Sequence, residues 1–142
     1  MAVDSKAQTH WSGDLSSGSG HTTLASSGVA GFDINWTARS EGGALVTTPE
    51  ELLAAAHSSC FAMAFSNALS KNGTPPTDLN VSAVVSFVPG TGVTSSVLTV
   101  EGAVLGIDEG AFATIAADAM ANCPVSKALT GIDIRLASAT LL

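Results

Sequence analysis

The sequence predicts an α+β fold, and three observations predict it. Short alternating segments separated by Gly/Ser-rich turns fill the first third, a long Ala-rich apolar run follows, and alternation returns after Pro75-Pro76 ahead of a second helical stripe. With 142 residues, 46% hydrophobic and 12% charged, the chain supports one compact domain with a sizeable core. No internal repeat or low-complexity linker divides it.

Taken in order, residues 8–13, 21–26 and 31–37 read as short strands, with residues 16–20 as a turn, and together they suit a meander. Thr47, Thr48 and Pro49 then start a helix. Glu50 and Glu51 in its first turn face the positive end of its dipole, and Asn72-Gly73 followed by two prolines ends it. Its alanines leave little side-chain bulk, so a neighbouring helix or sheet can approach closely, and the helix is expected to be wrapped on several sides. Leu79, Val81, Ala83, Val85 and Phe87 alternate as in a half-buried strand. Residues 95–104 give the next, with Leu98, Val100 and Val104 on one face. A helix carrying Phe112, Ile115, Ala116, Ala119 and Met120 on one stripe follows Asp108, residues 123–130 add a helical turn or two, and Ile132, Ile134 and Leu136 make the last strand.

Two cysteines occupy contrasting places in this scheme. Cys123 precedes Pro124, as a residue just ahead of a helix does, where free amides favour a thiolate. Cys60 lies mid-helix, where a thiolate needs a cation brought from elsewhere in the fold. A free thiol titrates near ~8.5, so little of it is reactive anion at neutral pH unless a neighbour lowers that value.

The net charge of −7 argues against a nucleic-acid partner, because only Lys6, Arg39, Lys71, Lys127 and Arg135 are available to meet phosphate. No stretch reads as a signal peptide or as an unbroken membrane span, so the expectation is a cytosolic enzyme without a membrane partner. In that compartment a cysteine pair is redox-active, catalytic or metal-binding more often than a permanent crosslink.

The run TTPEELLAAAHSSCFAMAFS, the later NCPVSKAL and the earlier TARSEGG together resemble the OsmC/Ohr family of osmotically inducible and organic hydroperoxide resistance proteins, and the likeness covers nearly all of residues 1–142 as a single domain. The resemblance implies intertwined homodimers with antiparallel sheets wrapped around long central helices and two active sites between subunits. It implies a thiol-dependent peroxidase with Cys60 as the peroxidatic cysteine, Cys123 as the resolving cysteine, and Arg39 and Glu50 as the residues that activate the thiolate. Its implied partners are a hydroperoxide and a dithiol reductant, particularly of the dihydrolipoyl type, with no cofactor or metal. The OsmC branch is the nearer one: residues 12–20 hold no arginine, Arg39 sits where that branch carries its own, and Val125 replaces the tyrosine common in Ohr-like chains. Thr48 stands where the family often has asparagine, and either residue caps a helix.

The residues carry a physical argument beside the resemblance. A guanidinium favours the thiolate and steadies charge on the breaking peroxide, and a carboxylate orients it through a two-point fork; Arg39 and Glu50 suit those roles. Arg135, between Ile134 and Leu136, reads as a surface residue. Glu50 and Cys60 are ten residues apart, ~15 Å of rise on a continuous helix, so they share one site only if Glu50 comes from a partner subunit or the helix is broken. Phe61, Met63, Phe65 and Val125 read as core, with a substrate pocket as the sharper alternative. His57 lies three residues before Cys60 and reads as a hydrogen-bonded structural histidine. A non-enzymatic dimeric module binding a small molecule or metal through His57, Cys60 and Cys123 is the rival reading, although the spacing matches no compact zinc motif. His10 and His21 read as surface positions on edge strands, and Glu51 as a dipole-stabilising acid.

Overall fold

The computed structural model describes residues 1–43 and 45–142. Its contacts group into two compact units, Met1–Leu52 and Leu53–Leu142.

In the first unit β1 (Gln8–Ser12), β2 (Ser19–Thr23) and β3 (Gly31–Ile34) form the expected antiparallel meander in the order β1-β2-β3. The first turn is tighter than its Gly/Ser run suggests. Asp14 accepts from the amide of Ser17 at 2.8 Å and from two serine hydroxyls, which closes the chain early and frees Ser19 and Gly20 to pair with Ser12 and Trp11. His21 therefore sits on the central strand rather than an edge strand, although its side chain is exposed and meets Asp33 at 2.8 Å. The expected third strand stops at Ile34, because Asn35 caps a helix, α1 (Trp36–Glu41), by accepting from the Ala38 amide at 2.7 Å. Gly42 ends that helix with φ +81°, a conformation that suits glycine.

Helix α2 (Pro49–Lys71) runs unbroken for 23 residues. Thr48 Oγ1 accepts from the Glu51 amide at 3.0 Å, and Gly73 at φ +81° closes the far end. A continuous helix removes the broken-helix alternative for Glu50 and Cys60.

In the second unit β4 (Pro76–Val88) and β5 (Gly92–Val104) form a long hairpin, followed by α3 (Glu109–Asn122), α4 (Pro124–Ala128) and β6 (Asp133–Leu141). This sheet is mixed rather than wholly antiparallel. The α3–α4 crossover returns the chain so that β6 lies parallel to β5, which makes β5 central. β6 extends beyond the apolar triplet that marks it, since pairing with β5 continues through Ser138, Ala139, Thr140 and Leu141.

The core lies between β5, α2 and α3. Along α2 the fully buried residues fall every fourth position, at His57, Phe61, Phe65 and Leu69. They meet Leu98, Val100 and Val104 from β5 and Phe112, Ala116 and Ala119 from α3. Phe65 stacks on Phe61 at 5.6 Å and meets Phe112 edge to face at 5.0 Å. Gly102 lets β4 and α3 come close, because a Cβ there would stand 2.6 Å from Leu79 Cδ2. Cys60, Ala64 and Ala68 pack beside this stripe, and of the most apolar window of α2, long and apolar enough to cross a membrane, 22% is buried.

Candidate active site

The path of α3 into α4 brings the two cysteines together. Cys123 ends α3 and opens α4 with Pro124 at the first helical position, and it is completely buried; Cys60, on α2, is half-buried against the same core. Both are free thiols, both pack into the same core cluster, and each acts on the acidity of the other. Their surroundings drive them apart in acidity. Burial pushes the Cys60 thiol up, and the contact with Cys123 adds to this, against a weaker opposing pull from the Val125 amide. Burial also acts to raise Cys123, but the Ser126 amide, the Cys60 thiol, the Ser126 hydroxyl and the Val125 amide outweigh it, and Cys123 ends below its usual range. No cation is among the groups that shift Cys60.

Beside Cys60 opens a cleft of about 560 Å³ whose lining includes Met63, Ala64, Ala68 and Ala119 with Lys71 and Asp118. Met63 is 68% exposed and belongs to this lining, whereas Phe61 and Phe65 are wholly core and Val125 packs partly against it.

The second predicted pair meets in the first unit. Arg39 Nη2 donates to Glu50 Oε1 at 2.8 Å, while Nε lies 3.2 and 3.3 Å from the two carboxylate oxygens, which is the two-point fork expected of arginine and carboxylate. The Glu50 side chain is 6% exposed and that of Arg39 is 34%, so the carboxylate is the more deeply buried partner. Arg39 also borders an apolar cavity of about 220 Å³ lined by Trp11, Leu15, Ile34, Trp36 and Pro49. Thus Cys60 is brought to Cys123, and Arg39 to Glu50, as two pairs.

His57 is wholly buried, with Nδ1 at 2.6 Å from Ser96 Oγ and Nε2 at 2.8 Å from Ser126 Oγ. Both ring nitrogens are thereby engaged. Among the described residues no group of three His, Cys, Asp or Glu side chains is arranged to hold a metal ion. Arg135 pairs with Asp133 at 2.7 Å on the surface.

Sequence reasoning passed over Trp11, Trp36, Ser96 and Ser126. The signal for Ser126 is its place three residues after Cys123, in the first turn of the helix that Cys123 caps. Ser96 shares the inward register of Leu98 and Val100, where a polar residue needs a buried partner.

The pattern of the OsmC-like protein family matches residues 41–137. The chain is 40% identical over 135 residues to peroxiredoxin OsmC of Escherichia coli K12, spanning 91% of this chain and 92% of that one, and equally to peroxiredoxin OsmC of Shigella flexneri. Among solved structures it is similar to an organic hydroperoxide resistance protein OsmC from Legionella pneumophila, with TM-score 0.69, 25% identity and coverage of 99% and 98%. It is also similar to the organic hydroperoxide resistance protein OhrB of Bacillus subtilis, with TM-score 0.68, 25% identity and coverage of 96% and 98%.

Proposed function

The chain belongs to the OsmC-like protein family, and we infer that it is a thiol-dependent peroxidase that reduces organic hydroperoxides to alcohols through Cys60 and Cys123. The observation that supports the residue assignment is that the free thiols of Cys60 on α2 and Cys123 at the α3–α4 junction pack into the same core cluster and act on each other's acidity.

In the proposed cycle the Cys60 thiolate attacks the terminal oxygen of the hydroperoxide. The S–O bond forms, the O–O bond breaks, and the alkoxide leaves and takes up a proton to become the alcohol. Cys123 then condenses with the Cys60 sulfenic acid, forming the disulfide and releasing water. A dithiol, for which we favour a dihydrolipoyl group, exchanges with the disulfide and regenerates both thiols.

Because burial raises the Cys60 thiol, the first step needs positive charge at the sulfur. We assign that role to Arg39, oriented by Glu50, and the apolar cavity beside Arg39 supports a substrate with an organic tail. The guanidinium both favours the thiolate and steadies the departing alkoxide.

The reading includes a homodimer in which residues 1–142 of each chain form one OsmC-like domain and the Arg39–Glu50 pair of one protomer serves Cys60 of the other. Two observations support it: Glu50 and Cys60 lie on an unbroken helix, and only 22% of the apolar window of α2 is buried within the protomer. We place the protein in the cytoplasm, where thiols of this kind stay reduced.

Replacing each cysteine tests the assignment. Cys60→Ser should abolish turnover of cumene hydroperoxide, whereas Cys123→Ser should release one equivalent of alcohol and then accumulate overoxidised Cys60, read by mass spectrometry. Full turnover by Cys60→Ser would overturn it.

A further inference from the structure

Among the described residues, His57 is the one buried titratable group that the proposed cycle leaves without a task. Its position is specific. It lies on the core stripe of α2, and its two nitrogens are held by hydroxyls from two different elements, Ser96 of β5 at 2.6 Å and Ser126 of α4 at 2.8 Å. All three side chains are buried, His57 and Ser96 completely. Ser126 stands in the first turn of α4, three residues after Cys123, which caps that helix, and its amide and hydroxyl both act on the Cys123 thiol, as Cys60 does. A chain of hydrogen bonds therefore runs from Ser96 through His57 to Ser126, which adjoins Cys123 at the start of α4. A histidine needed only to fill the core would not require a buried serine on each side, since an apolar residue of similar volume fills the same space without polar groups to satisfy.

We propose that His57 is a positioning residue for the resolving step: through Ser126 it draws the proton from the Cys123 thiol as that sulfur attacks the Cys60 sulfenic acid, and it returns the proton to the departing hydroxide. This rests on the reading of Cys60 as peroxidatic and Cys123 as resolving.

The proton balance follows from the inventory of the groups. A neutral imidazole that donates from Nδ1 to Ser96 Oγ leaves Nε2 as an acceptor, so Ser126 donates to it and accepts from the Cys123 S–H. One concerted shift along this chain produces the thiolate and an imidazolium, with the Ser126 hydroxyl now donating to sulfur. The thiolate attacks Cys60 Sγ. The S–S bond forms and the S–O bond breaks, so Cys123 is oxidised and the sulfenic sulfur is reduced. The hydroxide takes the proton back through Ser126 and leaves as water, and no outside reagent enters.

The resting state suits this role. Burial pushes His57 below its ordinary value and no charged group acts on it, so its ring is neutral and has a lone pair to offer at neutral pH. The elements packed around it bring only Ser96, Ser126 and the thiol pair to the chain, while their charged residues, Glu101 on β5, Glu109 and Asp118 on α3 and Lys127 on α4, are exposed.

The experiment separates the two oxidation steps. Reduced protein is mixed with one equivalent of cumene hydroperoxide and quenched at intervals, with the Cys60 sulfenic acid trapped by dimedone and the disulfide counted by mass spectrometry, at pH values from about 5.5 to about 8.5. In Ser126→Ala and His57→Gln, Cys60 oxidation should stay within about twofold of the parent while disulfide formation slows by about a hundredfold. The resolving rate in both variants should then climb with pH, as expected for unaided thiol ionisation, and Ser126→Thr, which keeps the hydroxyl, should restore the parent profile. Disulfide formation within about twofold of the parent at every pH in Ser126→Ala, or equal slowing of both steps, overturns the proposal. Should His57→Gln fail to fold, the Ser126→Ala and Ser126→Thr pair decides alone. Absence of any sulfenic acid in the parent protein instead overturns the peroxidatic reading beneath it.

Discussion

A thiol in the middle of a helix becomes a nucleophile only when something holds its negative charge, and burial alone works against Cys60. The arginine fork therefore carries the residue-scale argument. Replacing Arg39 by lysine keeps one positive charge but loses the planar two-point grip on Glu50. We expect Arg39→Lys to lower kcat/KM for cumene hydroperoxide by about a hundredfold, the size typical of a lost transition-state donor. Arg39→Ala should also destabilise the fold by about 3–5 kcal/mol in urea unfolding, since it leaves a buried carboxylate unpaired. Unchanged kinetics in Arg39→Lys would remove the fork from the mechanism. Cys60, Cys123, Arg39 and Glu50 were singled out through the motifs that carry the family resemblance, and the structure pairs Arg39 with Glu50 and packs the two cysteines into one core cluster. Ser96 was not: nothing in an alternating strand marks a serine as the partner of a histidine 39 residues away until the fold brings them together.

At the scale of elements, α2 joins the account of the core to that of the site. One stripe of it is packed, by His57, Phe61, Phe65 and Leu69, and the same helix carries Cys60. Phe65 touches both Phe61 and Phe112, so Phe65→Ala should cost about 3–5 kcal/mol by urea unfolding, whereas Val84→Thr on an exposed face of β4 should change stability by about 0.5 kcal/mol or less. Equal effects would show that the core lies elsewhere. The long elements were legible from period alone: α2 begins at the Thr48-Pro49 signal and ends at the glycine, and β4, β5 and α3 follow their stripes. The short ones were not. α1 spans six residues, too few for a stripe, and its evidence is a single capping asparagine that also reads as a strand end. β6 was seen only where apolar residues alternate, because its second half is specified by pairing with β5 and not by its own pattern.

For the whole molecule, the central question is whether one chain contains a complete site. On the proposed reading it does not, and mixing tests this: Cys60→Ser and Glu50→Ala chains, each inactive alone, should recover activity in one of the two sites of a mixed dimer, about a quarter to a half of the parent rate per dimer. No recovery in dimers shown by mass spectrometry to contain both chains would count against shared sites. Composition and charge pointed to this scale only by exclusion, through an acidic balance unsuited to nucleic acid; the low buried share of the apolar window of α2, 22%, supplies the positive argument for a second chain. The claim on which all else depends is that the two sulfurs form a redox couple. The most direct measurement is the thiol count of metal-free protein before and after one equivalent of cumene hydroperoxide. The account predicts that both thiols disappear and one equivalent of cumyl alcohol forms; retention of both thiols contradicts it.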